Sequence, residues 1–220
     1  MPGAPTSTPR WRCWVDAVAR EPDDFYRTGP DAILALHGLL DAFPGFTLDP
    51  CAGDGGLLAG SALVWGQGSF GLRGVELHQG RAEQAAEQGW PVTQGDGLAL
   101  SWRDEGAIIN PPFSNAQPFI EKAATQARFG AVLLPLGYLA SAERSAWWRS
   151  LPAPRLRVLS VRASFLANGK ISSQDYAWYL WGERFADCPP VSWFECPIER
   201  QERIALALKS RELRRDQVTW

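Results

Sequence analysis

Short apolar segments alternate along the chain with segments of helical character, and this alternation constrains the fold more than any other feature. The run Ala-Val-Leu-Leu at 131–134 is apolar at every position, which predicts a strand covered on both faces. Such strands belong to parallel sheets with helices on both sides. The pattern predicts strands at 46–49, 72–76, 92–94, 107–110, 131–134, 156–161 and 176–181, and helices at 29–44, from about 56, and at 79–88, 116–128, 142–150 and 199–216.

The length of 220 residues suits one well-filled α/β domain. The hydrophobic share of 45% and the charged share of 21% are ordinary for a globular protein. We predict a loose tail at 1–20, a single domain at 21–198 and a charged helical extension at 199–220. Ile204, Leu208 and Leu213 are expected to give the extension one apolar stripe.

Composition argues against several classes of function. The formal net charge of −2 does not suit a dedicated non-specific nucleic-acid binder, but it leaves room for an enzyme with a local basic cleft. No segment is long and apolar enough for a bilayer span, and the N-terminus lacks a signal-peptide pattern, so a cytoplasmic setting is expected. Neither the four cysteines nor the two histidines have zinc-site spacing, and we predict no metal.

A glycine-rich turn, Asp-Pro-Cys-Ala-Gly-Asp-Gly-Gly at 49–56, lies between a predicted strand and a predicted helix. This is where α/β sheets bind nucleotide-like ligands. The dinucleotide fingerprint requires a third glycine, and Leu58 stands at that position. The carboxylate of Asp49 would repel a pyrophosphate but accept a ligand with an ammonium group. A nicotinamide or flavin site is therefore the weaker interpretation.

Two further acids follow successive predicted strands. Glu76 lies at the end of the second strand, where a carboxylate suits a ribose diol. Asp96 follows the third strand and suits an adenine amine. Each acid alone is more simply a solvated loop residue, but their order at strand ends favours a shared ligand site.

The tetrapeptide Asn110-Pro111-Pro112-Phe113 follows the fourth strand. Two prolines explain a rigid turn that ends a strand, but they do not explain the asparagine and the phenylalanine. An exocyclic amine is a poor nucleophile, and the Asn110 side-chain oxygen and the Pro111 carbonyl would each accept one of its N–H bonds. That stabilises charge developing in the transition state. Phe113 would stack on a flat target, flipped out of a duplex where necessary.

These motifs together resemble the Rossmann-like S-adenosylmethionine-dependent amino-methyltransferases, especially the DNA adenine-N6 methyltransferases of phage and restriction–modification type. The turn at 49–55 resembles their cofactor motif, and the tetrapeptide at 110–113 resembles their catalytic motif. Residues 25–30 (Phe-Tyr-Arg-Thr-Gly-Pro) resemble the "FYxTP" element, although Gly29 separates Thr28 from Pro30. Residues 162–165 and 175–182 resemble a late strand pair of small phage adenine methylases.

The resemblance implies a seven-stranded sheet with helices on both faces and an antiparallel last strand. It implies S-adenosylmethionine as cofactor, DNA with a flipped adenine as partner, and a bacterial or phage-infected cytoplasm. It places Asp49 near the methionine end, Glu76 on the ribose and Asp96 near the adenine amine. The expected cofactor contacts are Tyr26, Thr28, Asp49, Pro50, Cys51, Ala52, Gly53, Gly55, Glu76, Leu77, Asp96 and Gly97.

The loop at 162–175 is expected to face the substrate. Arg162, Phe165, Lys170 and Ser173 are its candidate substrate contacts, while a solvated hairpin loop is an equally good account of this segment.

The acceptor stays open at this point. Relatives that methylate RNA adenine, cytosine N4 or a protein glutamine amide share the tetrapeptide, and a non-catalytic binding module is a remote alternative. The order of the motifs and the late Asp-Tyr-Ala-Trp run at 175–178 favour DNA adenine. Among the eleven tryptophans, Trp147, Trp148, Trp178 and Trp181 are interpreted first as packing residues and second as base-stacking residues.

Overall fold

Strands and helices alternate over most of the chain, as the sequence pattern predicts. The computed structural model describes residues 26–40, 46–66, 71–103, 105–160 and 174–218. The strands within these residues are β1 (Thr47–Asp49), β2 (Leu72–Glu76), β3 (Val92–Gln94), β4 (Gly106–Ile109), β5 (Phe129–Pro135), β6 (Arg155–Leu159), β7 (Tyr176–Gly182) and β8 (Val191–Phe194). The α-helices are α1 (Pro30–Leu34), α2 (Gly56–Trp65), α3 (Gln79–Glu87), α4 (Ala116–Thr125), α5 (Ala142–Arg149) and α6 (Arg200–Glu212).

The strands form one sheet in the order β3-β2-β1-β4-β5-β7-β6-β8. β1 to β5 are parallel, and β7 runs antiparallel between β5 and β6. The order reverses between β1 and β4, and such a reversal opens a crevice at the carboxyl ends of the strands. Asp49 ends β1, and Asn110 directly follows β4. The topology therefore brings the glycine-rich turn after β1 and the tetrapeptide after β4 to the same crevice.

β5 shows why the sheet is covered on both sides, since all seven of its residues are buried. Ala131 and Leu133 pack into one core cluster with residues of α1 and α2. Val132 and Leu134 pack into a second cluster with residues of α4. The prediction of a strand apolar on both faces, inside an α/β fold, is confirmed.

The predicted number of strands is wrong, because the sheet has eight strands and not seven. The additional strand, β8, pairs with β6 in parallel register and forms one edge of the sheet. The antiparallel strand is therefore β7 and not the last one. The residues of β8 are only exposed or half-buried, so the strand carries little hydrophobic alternation. Two prolines, at 189 and 190, come directly before β8, and prolines are tolerated beside an edge strand.

Two helix predictions also need correction. The predicted helix at 29–44 is limited to α1, after which the chain turns up to residue 40, while 41–45 lie outside the described residues. The predicted stripe on the last helix is wrong at Leu208, which is 48% exposed. Ala207 and Ser210 are buried on this helix instead, and α6 contacts α1 and α2. Within the described ranges, no helix is long and apolar enough to cross a membrane.

Two of the four highlighted tryptophans are buried, which confirms the packing interpretation for them. The Trp178 indole N–H donates to the Ala32 carbonyl over 2.7 Å, and the Trp181 indole donates to the Pro152 carbonyl over 2.8 Å. Trp147 and Trp148 are half-buried. The bond from Trp178 therefore ties β7 to α1.

Trp178→Phe is expected to lower the free energy of unfolding by about 1–3 kcal/mol, because it removes a buried hydrogen bond and ring volume. Denaturant titration followed by circular dichroism measures this loss. Trp147→Phe is the matched control, since its indole N–H bonds Glu121 at the surface. Equal losses for both variants would contradict the role given to the buried bond.

Candidate active site

A cavity of about 410 Å³ lies at the carboxyl ends of β1, β2, β3 and β4. Its size lies within the ordinary range of small-ligand sites. Most of the predicted cofactor residues line it, together with two residues of the tetrapeptide. These residues are Tyr26, Thr28, Asp49, Pro50, Cys51, Ala52, Glu76, Leu77, Asp96, Gly97, Asn110 and Pro112.

The other predicted site residues lie beside the cavity or outside the described chain. Gly53 and Gly55 belong to the turn behind the cavity wall, and Gly55 has a φ of 82°, which favours glycine. In the tetrapeptide, Pro111 lies between the two lining residues and Phe113 follows them. The four predicted substrate residues at 162, 165, 170 and 173 lie outside the described residues.

The glycine-rich turn after β1 is fixed by Glu76. One carboxylate oxygen of Glu76 accepts the Gly53 N–H at 2.8 Å, and the other accepts the His78 N–H at 2.8 Å. Glu76 is 6% exposed, so these bonds compensate a buried charge. Each oxygen keeps further acceptor capacity, and one of them lies 3.9 Å from the guanidinium of Arg81, which also lines the cavity.

The loop after β3 approaches the turn very closely. A Cβ at Gly97 would lie 2.0 Å from the Pro50 carbonyl oxygen, so only glycine fits here. Asp96 is exposed, and its Oδ1 accepts the Leu98 N–H at 2.9 Å, which fixes the start of a short 3₁₀ turn. Both residues therefore have local structural tasks in addition to their place in the cavity wall.

The carboxyl group of Asp49 has an unusually high pKa. The side chain is 2% exposed, and its Oδ1 accepts the Cys51 N–H at 3.2 Å. The pKa of Asp49 is raised to about 8, because burial disfavours the charged form by more than the bonds from Cys51 favour it, and the nearby Glu76 charge acts in the same direction as burial. Below pH 8 the carboxyl group is therefore mostly protonated unless a cation enters the cavity. If a cationic ligand binds here, as the sequence predicts, Asp49 is expected to release its proton on binding.

The Asn110 side chain is oriented by the chain that precedes α1. Its Nδ2 donates to the Tyr26 carbonyl at 2.7 Å, which identifies the nitrogen and the oxygen of the amide. The Oδ1 atom is buried and has no hydrogen-bond partner among the described residues. A buried acceptor without a donor costs free energy, and a ligand N–H group would compensate it.

The last residue of the tetrapeptide, Phe113, contacts two other aromatic rings. The rings of Tyr26 and Phe113 stack with centroids 5.6 Å apart and an interplanar angle of 18°. Tyr176 tilts against Phe113 at 5.9 Å. The proposed stacking of Phe113 on a flat target stays a prediction, since the ring already contacts Tyr26.

Sequence reasoning missed an ion pair in the cavity wall. Arg27 and Asp54 line the cavity and form a salt bridge in which both side chains are nearly buried. Both residues lie inside motifs that the sequence analysis identified, but only the fold brings them together. The other lining residues that were not predicted are Gly56, Leu57, His78, Arg81, Leu98, Asn115 and Phe119.

No protein-family model and no curated protein matches the sequence. Solved structures do share the fold. A protein of Pyrococcus horikoshii described as a candidate RNA methyltransferase is 17% identical, with a TM-score of 0.52 over 70% of this chain and 81% of that one.

Two further similar structures come from bacteria. A candidate class I S-adenosylmethionine-dependent methyltransferase of Listeria monocytogenes is 13% identical, with a TM-score of 0.51 over 83% of this chain and 68% of its own. A type I restriction–modification methyltransferase subunit of Streptococcus thermophilus is 17% identical, with a TM-score of 0.50 over 83% of this chain and 51% of its own. The chain thus spans about half of that subunit. At these identities the similarity shows the α/β fold that the chain shares with these proteins.

Asp49→Asn is expected to raise the thermal stability of the ligand-free protein. A carboxyl group whose folded-state pKa is raised contributes stability below its unfolded pKa, near 3.8, and loses it as the pH rises to about 8. Asparagine does not ionise, so the variant does not lose this stability as the pH rises. The difference in Tm between variant and wild type should widen from pH 5 to pH 8 and level off above, as scanning calorimetry can measure.

Asp187→Asn, which changes an exposed aspartate outside the cavity lining, is the control for this pH series. A Tm difference for Asp49→Asn that stays constant from pH 5 to pH 8 would show that the Asp49 acid is not perturbed by burial.

Proposed function

We propose that the protein transfers a methyl group from S-adenosylmethionine to the exocyclic N6 amine of adenine in DNA. The observation that carries the proposal is the buried Asn110 Oδ1 atom, which has no partner among the described residues. Asn110 lines a cavity that is also lined by the glycine turn and by four acids. The shared fold with methyltransferases supports the reaction class.

Asn110 provides the acceptor for the target amine. Tyr26 holds the Nδ2 end of the amide, so the Oδ1 end carries the unused acceptor of this side chain. The Pro111 carbonyl is the second expected acceptor, and proline at 112 limits the backbone conformations around it. Two acceptors on one nitrogen favour the tetrahedral geometry that the nitrogen reaches as its new bond forms.

The cavity fits the proposed cofactor on its chemistry. S-adenosylmethionine supplies an activated methyl group when bound. Asp49, buried and with a raised pKa, is stabilised by a positive group, whereas a pyrophosphate offers none. Glu76 has acceptor capacity left for a ribose, and Leu77, 72% exposed at the cavity rim, offers an apolar surface for a purine.

DNA is the acceptor that the motifs favour. The order of the cofactor turn and the tetrapeptide, and the strand at 176–182 with its preceding Asp175, resemble the small DNA adenine methylases. A similar structure is described as the methyltransferase subunit of a restriction–modification system. RNA adenine, cytosine N4 and protein glutamine are the acceptors to be tested beside it.

Parallel incubations with labelled S-adenosylmethionine and unmethylated DNA, RNA or protein, followed by nucleoside and protein analysis, should yield N6-methyladenine in the DNA. Asn110→Ala is expected to lower turnover by about 10²–10³-fold while cofactor affinity survives, because the lost bond acts on the transition state. Gln117→Ala, exposed on the first turn of α4 and away from the cavity lining, is the control. Label found only in RNA, protein or methylcytosine would reject the DNA adenine acceptor, and full activity of Asn110→Ala would reject the role of Asn110.

Cofactor affinity should increase with pH between 6 and 8. A positive ligand favours the ionised form of Asp49, so binding releases a proton while the free group is still protonated. The association constant should therefore rise by up to about tenfold per pH unit and flatten near pH 8. Calorimetry in buffers of different ionisation enthalpy measures the released proton, and Asp49→Asn should bind more weakly with a flat pH profile. An equally steep profile in that variant would assign the proton to another group.

A further inference from the structure

The C-terminal helix α6 reaches the cavity through one buried side chain, Arg27. The guanidinium of Arg27 is divided between two partners that are distant in sequence. Its Nη1 forms the salt bridge with Asp54 of the glycine turn, and its Nη2 donates to the Ser210 carbonyl in α6 at 2.7 Å. The Arg27 side chain is 5% exposed and the Asp54 side chain 14%, so this contact is shielded from solvent.

The Ser210 carbonyl is a position where a helix needs an external donor. α6 ends at Glu212, and the last four carbonyls of a helix have no partner within it. A cation placed there also opposes the partial negative charge of the helix end. Arg27 therefore caps α6 from inside the cavity wall.

The Arg27 side chain is also packed closely against the first residue of α2. A Cβ at Gly56 would lie 2.4 Å from Arg27 Cγ, so the first residue of α2 leaves room for Arg27 only as glycine. Arg27 Nε and Asp54 Oδ1 are buried and have no hydrogen-bond partner among the described residues. The pair therefore has unused hydrogen-bonding capacity, and any ligand that orders the turn acts on it.

We propose that Arg27 is a positioning residue that couples the binding of cofactor in the cavity to the stability of helix α6. A ligand that orders the glycine turn fixes Asp54, Asp54 fixes the guanidinium, and the guanidinium caps α6. By linkage, loss of the cap weakens cofactor binding by the same factor that cofactor binding strengthens the cap. The inference rests on the proposed function in one respect only, that the cavity binds S-adenosylmethionine.

The chain offers a matched control at the same helix end. Gln88 Nε2 donates to the carbonyl of Arg211, the residue after Ser210, at 3.3 Å. Gln88 is half-buried and does not line the cavity. Gln88→Ala removes this bond together with the one that Gln88 Oε1 accepts from the Trp90 indole, and it loosens the end of α6 from outside the cavity lining. Arg27→Gln loosens the same helix end from the cavity side.

Hydrogen–deuterium exchange of the full chain, with and without saturating S-adenosylmethionine, tests the coupling. In the wild type, amides in the last turns of α6 should exchange about 5- to 100-fold more slowly with cofactor, the range of ordinary coupling between sites. Arg27→Gln should lose this increment of protection against exchange. In calorimetry it should bind cofactor more weakly by a similar factor. Gln88→Ala should exchange faster in the free state and keep the increment.

Two further variants keep the test decisive where Arg27→Gln does not fold. Arg27→Lys keeps a positive charge but lacks the planar fork that serves two partners, so it should fold and lose most of the increment. Gly56→Ala keeps Arg27 and displaces it, with the same expected result. An unchanged α6 exchange rate in cofactor-saturated wild type, or an equal increment in Arg27→Gln or Arg27→Lys, would overturn the coupling. Absence of cofactor binding in the wild type would instead overturn the proposed function.

Discussion

The bond from the Gly53 N–H to the Glu76 carboxylate is the contact on which the cavity depends. It holds the turn after β1 against the end of β2, and the second oxygen of the same carboxylate holds the start of α3 through His78. Charge-assisted bonds of this kind are stronger than neutral ones, and burial reduces their competition with water. The turn carries Asp49 at one end and Asp54 near the other. One carboxylate thus positions both the perturbed acid and the partner of Arg27.

The cavity wall concentrates groups that cost stability. Six buried side-chain atoms have no hydrogen-bond partner among the described residues, and three of them belong to cavity-lining residues, namely Arg27, Asp54 and Asn110. Asp49 adds a buried acid to this set. Unsatisfied buried groups are unfavourable, and proteins retain them where activity requires them. Three such atoms and a perturbed acid at one cavity favour a ligand site there, because a ligand can supply the missing hydrogen bonds.

Local patterns predicted those parts of the fold that local patterns determine. The bounds of β2 and β3 were correct, because turn residues flank both strands, and burial of β5 follows directly from its apolar residues. β8 was missed because an edge strand with half-exposed residues has no clear alternation. The salt bridge of Arg27, its bond to Ser210 across 183 positions and the raised pKa of Asp49 depend on tertiary packing. The sequence could indicate many of the residues that come together at the cavity, but not which of them pair.

Cys51 shows how burial also restrains chemistry in the same cavity. Its thiol lines the cavity between Asp49 and Asn110, and a thiolate there would compete with an amine for an activated methyl group. Burial raises the pKa of the Cys51 thiol well above its usual value, and the charges of Asp49 and Glu76 raise it further. The group therefore remains a thiol, whose sulfur donates weakly to the Asn110 carbonyl at 3.6 Å. The burial that perturbs Asp49 thus also keeps the neighbouring sulfur protonated, so under the proposed function an amine at Asn110 would meet no competing thiolate.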